Sequence, residues 1–369
     1  MIFYHNTTYN FVGDAILFKI FKGIIAIFLI LSVVFLPGKM LKFLENDKIS
    51  EEMYSRREKY FYGVINLWQI DCFEGGTGSR ANWLKNIVST FEKRNNGVFV
   101  NIENISLETA QNLIKSGQKK PDMISFSTGL LIDENMLIDL SEIEYFGYAE
   151  KEKNIAVPWC MGAYFMIGDI NKENWGTDGR IVKTKKAEKT VFSVGVPNRN
   201  GYVSLKGISL NCNKNFSDEK ALFFGTSQEV FEAYNYSQKV NRMVGTQRDF
   251  YRMASAQSKN NLRESQTLFL GYTDLIQYLA IFKCENSKKV TTMKQFISFL
   301  LESEQQSKLD QIGMFPVIKD AQPFYENSFM VNAWESIKKQ GITCTSYLFN
   351  SALADEEQKK CLDFLQKKE

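Results

Sequence analysis

The chain has 369 residues, 44% hydrophobic and 24% charged, with a formal net charge of +3. That length exceeds one small core and suits two α/β lobes, and the composition is that of a globular chain rather than a disordered one. No compact Lys/Arg block with interleaved aromatics points to nucleic acid, and the single histidine, His5, leaves no Ser-His-Asp triad, Cys-His pair or His-rich metal site beyond the first residues.

Residues 1–14 form an N-terminal tail. Residues 15–37 read AILFKIFKGIIAIFLILSVVFLP, free of charge from Gly23 to Leu36. As a helix this stretch spans about 34 Å, which predicts a single transmembrane signal anchor with Lys19 and Lys22 reaching toward the headgroups. No small-x-small cleavage site follows, since Pro37-Gly38-Lys39 comes instead, and no cysteine stands there to accept a lipid. A cleaved signal peptide is the rival reading. Lys39, Lys42, Lys48, Arg56 and Arg57 follow the span and outnumber the lysines before it, a bias toward keeping the domain inside; long domains translocate despite such charges. Residues 38–60 are a polar linker.

Beyond the linker the pattern changes. Gly63–Ile70 reads as a strand, followed by the turn Cys72–Ser79 and an amphipathic helix with Trp83, Leu84, Ile87, Val88 and Phe91 on one face. Val98, Val100 and Ile102 alternate as a second strand. Thr109–Lys115 is a short helix stopped by Gly117, and Asp122–Phe126 a third strand. Strand, helix, strand, helix, strand predicts a parallel sheet with helices on its faces, whose ligands sit beyond the carboxyl ends of the strands. Gly75-Gly76-Thr77-Gly78 has neither the P-loop nor the dinucleotide spacing and reads as a turn into the next helix.

Arg180–Lys189 is basic and reads as a surface loop. Residues 229–259 have helical composition interrupted at Gly245-Thr246, and Thr291–Ile312 reads as one long amphipathic helix stopped by Gly313. The six cysteines, Cys72, Cys160, Cys212, Cys284, Cys344 and Cys361, include no C-x-x-C pair and read as scattered, mostly buried thiols.

Four blocks, taken in order, resemble the bacterial extracellular solute-binding proteins of sugar-type ABC importers. They are Ile65–Phe91 (INLWQIDCFEGGTGSRANWLKNIVSTF), Lys120–Phe126 (KPDMISF), Val157–Phe165 (VPWCMGAYF), and a set comprising Gly245–Met253 (GTQRDFYRM), Gly271–Tyr278 (GYTDLIQY) and Phe296–Val317. The resemblance implies an α/β fold of two lobes joined by crossing strands at Val157–Gly162, Gly271–Leu275 and Phe315–Val317. The first lobe would comprise 61–158 plus 272–316, the second 159–271 plus 317–369. The family's lipidated cysteine is missing, and Asn171–Lys189 lacks the Pro-x-Thr-Trp-type segment usual after the first crossing, so a reduced second lobe is expected.

Carried onto this sequence, the resemblance implies a non-catalytic protein without cofactor or metal. It would bind a small carbohydrate between its lobes and present it to ABC permease subunits, from the extracytoplasmic face of the cell membrane. The ligand candidates are Trp68, Trp159 and Tyr164 for ring stacking, and Asp71, Glu74 and Ser127 at the ends of the first and third strands. Gln247, Arg248 and Asp249 represent the second lobe, with Tyr272 and Asp274 at the second crossing. Each has a plainer role open to it: packing for the aromatics, a turn or cap for Asp71 and Glu74, and a surface pair for Arg248 with Asp249. Two rival functions stand beside import. One is a membrane-anchored sensor or interaction module of the same fold, and the other a carboxylate enzyme using Asp71 or Glu74.

Overall fold

The computed structural model describes residues 60–168, 192–195, 223–238 and 242–350, together with 352, 353, 355, 356 and 359; at 192–195 and 223–225 only the backbone is described. The expected anchor at 15–37, most of the linker, the basic loop at 180–189, Cys212 and Cys361 lie outside the described residues. Among the described residues no helix is long and apolar enough to cross a membrane, and no group of His, Cys, Asp or Glu could hold a metal ion.

The compact unit starts at Tyr62. Strand β1 (Gly63–Gln69) pairs in parallel with β2 (Val98–Asn104) and β3 (Met123–Phe126). Helix α1 (Arg80–Arg94) joins β1 to β2. Its N-terminus is fixed by Ser79, whose side chain accepts from the Asn82 N–H, and Lys93 and Arg94 oppose the dipole in its last turn. The predicted face of Trp83, Leu84, Ile87, Val88 and Phe91 is buried, at roughly 1.5–3 kcal/mol for each large apolar side chain removed from water. Helix α2 (Leu107–Ser116) ends at Gly117, which takes the left-handed conformation at φ 69°.

The first sheet is completed from elsewhere in the chain. Its order is β2-β1-β3-β11-β4, where β4 is Val157–Met161 and β11, Ile276–Ile281, runs antiparallel to both its neighbours. The second sheet has the order β7-β6-β8-β5-β9, formed by β5 (Tyr164–Gly168), β6 (Phe192–Gly195), β7 (Phe223–Gly225), β8 (Arg242–Thr246) and β9 (Gln266–Phe269). Here β6 is parallel to β7 and β8, while β5 is antiparallel to β8 and β9. The two sheets share one plan: in each, the antiparallel strand is the one that arrives from the other lobe. The chain leaves the first sheet after Met161 and enters the second at Tyr164. It returns from β9 through β10 (Tyr272–Thr273) to β11, and β10 also pairs with β12 (Thr343–Cys344).

Two expected elements differ. Within the predicted helical stretch 229–259, helices α3 (Ser227–Asn235) and α4 (Gln247–Ser258) flank a fully buried strand, β8. Pairing with β5 on one side and β6 on the other overrides local composition there. The predicted helix 291–312 is three pieces: α5 (Ser287–Leu300), the short α6 (Ser303–Ser307) and a 3₁₀ turn, Lys308–Ile312, closed by Gly313. Buried Gln306 compensates for the break. Its amide donates to the carbonyls of Leu300 and Trp159 and accepts from the Val317 N–H. Helix α7 (Ser328–Gln340) packs beside α4 and β9 on the second lobe.

Cys72 and Cys160 are buried, and burial pushes their thiols up to about 11 and about 12, which keeps them protonated and inert. Cys344 is half-buried and Cys284 is exposed.

Candidate functional site

Among the described residues two polar places join the lobes, beside the aromatic contacts of the third crossing, where Phe315 packs against Phe165 and Trp334. The first is the pair of crossings at Gly162 and Thr273. The Gly162 N–H donates to the Leu275 carbonyl at 2.7 Å, and the Thr273 hydroxyl donates to the Gly162 carbonyl at 2.8 Å. Beside them the Tyr164 hydroxyl donates to Asp274 Oδ1 at 2.8 Å, and the Tyr164 ring stacks on Tyr272 with centroids 6.3 Å apart. All three side chains are buried. Burial, then the neighbouring Asp274 charge, raises both tyrosines well above their ordinary range, so they remain neutral hydrogen-bonding groups.

The second meeting place is the turn between β1 and α1. Arg80, buried at the start of α1, reaches back over it, donating from Nε to Asp71 Oδ1 at 2.8 Å and from Nη2 to the Phe73 carbonyl, with its guanidinium over the Phe73 ring. Gln69 also donates to Asp71. The turn runs close against residues 312–313. Thr77 N–H donates to the Ile312 carbonyl, and a Cβ on Gly76 would strike the carbonyls of Ile312 and Gly313, so only glycine fits.

From this turn Glu74 projects onto the second lobe. Its Oε2 accepts from the Ser227 hydroxyl in the first turn of α3, and its Oε1 lies 2.8 Å from Arg252 Nη2 and 3.8 Å from Arg248 Nε. The other edge of Arg252 donates from Nη1 to Asp249 Oδ1 and to the Ser227 hydroxyl, both at 2.7 Å. Arg248 Nη1 donates to the Gly76 carbonyl. Gln247 closes the set: its Oε1 accepts from the Ala163 N–H at 3.1 Å, its Nε2 faces the Glu74 carbonyl at 3.5 Å, and a Cβ on Gly162 would collide with its amide.

Helix starts explain why these groups converge. Thr226 and Glu229 form a capping box on α3, and Thr246 and Asp249 form one on α4. The second box fixes Asp249, whose Oδ2 accepts from the Thr246 N–H at 2.9 Å. Burial pushes the Asp249 carboxyl up to about 6, against the opposing pull of Arg252 and the Thr246 N–H.

The structure brings Glu74, Gln247, Arg248 and Asp249 together at one contact, and Tyr164, Tyr272 and Asp274 at the crossings. Asp71 stands beside them as the partner of Arg80. Asp249 pairs with Arg252 rather than with Arg248, because the helix places residues three apart on one face. Trp68 is buried on β1 and donates to Glu103 at 3.1 Å; Trp159 is buried on β4, stacked on Trp83 at 5.4 Å, and donates to Ser125. The sheet pairing of β4 groups Trp159 with the first sheet. Ser127 is buried, and its hydroxyl has no hydrogen-bond partner among the described residues; the same holds for Gln69 Oε1, Gln277 Oε1 and Arg80 Nη1. Gln277 donates to the Ile70 carbonyl and to Ser125, which ties this polar group to the strand ends beneath the Glu74 turn.

Sequence reasoning missed Arg252, Ser227 and Arg80. Two signals were available: the Arg248–Arg252 spacing of four on a capped helix, and the Thr226–Glu229 capping box that places Ser227 at a helix start. Arg80 carried none.

No family model matches the chain, and no curated protein does. Solved structures do. The GacH receptor of Streptomyces glaucescens, described unliganded and with acarbose, is 14% identical over 83% of this chain and 94% of that one, with a TM-score of 0.51. A Trichodesmium protein, IdiA (FutA), in complex with iron and citrate, is 12% identical over 83% of this chain and all of that one (100%), with a TM-score of 0.52. At such identities the likeness establishes the fold, a two-lobed mixed α/β architecture.

Proposed function

We propose that this chain is an extracytoplasmic solute-binding protein that captures a small ligand by closing its lobes and presents it to an ABC import permease. It performs no catalysis in this reading. The observation that carries the reading is the polar contact between lobes: hydrogen-bonding and charged groups of the first lobe's strand-end turn meet the capped starts of α3 and α4, while the first two crossings form a narrow axis beside them. The fold supports it, since the proteins it resembles in structure are named for acarbose, or for iron and citrate. Carbohydrate is the ligand class that the sequence resemblance favours. Trp68, Trp159 and Tyr164 are buried, so recognition in this reading rests on hydrogen bonds rather than ring stacking.

The chain is held at the membrane by residues 15–37 with the domain outside. Protease added to wall-stripped cells digests the domain in this arrangement; protection of the domain, or its release as a trimmed species, contradicts it. For capture itself, the segment from Tyr60 onward is screened by thermal shift and small-angle scattering against sugars, polyols, carboxylates and phosphate. A rise in melting temperature with a change in scattering radius is expected, and saturating binding with no such change refutes lobe closure.

A second reading, an anchored sensor or interaction module that does not support transport, is favoured by one observation. The chain's own Glu74, Arg252 and Ser227 join the lobes directly. Silence of every solute class in the screen moves this reading ahead.

A further inference from the structure

We infer that the captured solute carries an oxyanion, a carboxylate or a phosphate, which takes the place of Glu74 on Arg252 and Ser227. This rests on the solute-binding reading above and names the ligand chemistry of the same site.

The second lobe's half of the contact is a set of donors. Arg252 Nη2 and the Ser227 hydroxyl point at Glu74, with Arg248 Nε farther off, and the first turn of α3 stands behind Ser227. A carboxylate sits on these donors in the structure, one oxygen on the serine and the other on the arginine. The geometry is therefore already that of a bound oxyanion, supplied by the chain itself.

Charge balance says what must replace it. Two arginines, Arg248 and Arg252, face two carboxylates, Glu74 and Asp249. The Arg252 and Asp249 side chains are only 14% and 2% exposed. If Glu74 withdraws with the first lobe, Asp249 still neutralises Arg252, and Arg248, 37% exposed, is left without a carboxylate. A neutral ligand leaves that positive charge to solvent, whereas an anion takes over the charge-assisted bonds that Glu74 makes to Arg252 and Ser227.

Glu74 is placed for exchange. It sits in a turn that carries two consecutive glycines, and its side chain remains 26% exposed, far more than that of Arg252's other anionic partner. The Ser127 hydroxyl, Gln69 Oε1 and Gln277 Oε1 at the strand ends below the turn, without a hydrogen-bond partner among the described residues, add neutral hydrogen-bonding capacity for the rest of a hydroxyl-bearing solute.

The test uses the full-length chain in detergent, wild type and Glu74→Gln, with glucuronate, citrate and inorganic phosphate as anionic probes and maltose as the neutral one. Melting temperature and titration calorimetry are the readouts. At least one anion is expected to bind Glu74→Gln tenfold or more tightly than wild type, because the internal competitor has lost its charge. Ser227→Ala should weaken that binding and Arg252→Gln should abolish it; Ser227→Ala keeps the test valid where Arg252→Gln fails to fold. Maltose binding equally to wild type, Glu74→Gln and Ser227→Ala, with all three anions silent, overturns the inference and leaves solute capture standing. Anions that bind wild type and Glu74→Gln alike overturn it too, since Glu74 would then occupy no site they need.

Discussion

Two of the junctions between the lobes are built from opposite chemistry. At the crossings, Tyr164, Tyr272, Thr273 and Asp274 are fully buried and tied to backbone carbonyls and to one another. At the Glu74 turn the groups are charged and partly wet: Glu74 is 26% exposed and Arg248 37%. Breaking the first contact leaves polar groups in a dry interior, which costs more than the bond was worth. Breaking the second lets both partners rehydrate, so its net value is small and falls with salt. The proposed lobe closure needs this division, a fixed axis on one side and a reversible clasp on the other.

The contrast can be tested by substitution. The largest effect is expected just before the first crossing. Trp159→Ala removes a fully buried ring from its stack on Trp83 and should cost about 3–5 kcal/mol in denaturant unfolding. Lost solute binding at unchanged stability would instead put that ring in the cleft. Tyr164→Phe, which keeps the ring and deletes the hydroxyl donated to Asp274, should cost about 1–3 kcal/mol by the same measurement, with little dependence on salt.

Asp249 separates the two junctions by pH. Its carboxyl is raised above the ordinary value of 3.8 to about 6, so the folded state holds that proton more tightly than the unfolded chain. The associated stability is present below pH 3.8 and is lost as pH rises through about 6, by on the order of 1–3 kcal/mol. Asp249→Asn removes the titrating group. The melting-temperature difference, wild type minus variant, should therefore fall between pH 4 and 6 and be flat above 7. A difference that rises over this range reverses the assignment.

The smallest effect is expected at the clasp. Glu74→Gln should change unfolding free energy by less than about 1 kcal/mol, and that change should shrink as NaCl is raised from roughly 0.05 to 0.5 M. A loss as large as that of Tyr164→Phe would mean that the turn is as fixed as the crossings, and the comparison would collapse.

What could be read from the sequence follows from how local each feature is. The α1 face, the alternation of β2 and the Gly117 stop were legible because periodicity and a left-handed stop are written in neighbouring residues. Strand β8 was not, since Arg242–Thr246 becomes a central strand only when β5 and β6 flank it, and both come from elsewhere in the chain. Glu74, Gln247, Arg248 and Asp249 could be named from the turn after a strand and the opening of a helix. Their meeting depends on strands that cross twice between sheets and bring residues more than 170 positions apart into contact. Trp68 and Trp159 show the other side of this. A tryptophan near a strand end has the same sequence signature whether it faces a cleft or a core, and only the tertiary structure shows both rings buried, Trp159 against Trp83 and Trp68 beside Glu103. The sequence by itself determined the element types of the first lobe and the residue types available for binding. The tertiary structure alone decided which of them face each other across the lobes, because burial and pairing are properties of distant segments brought together.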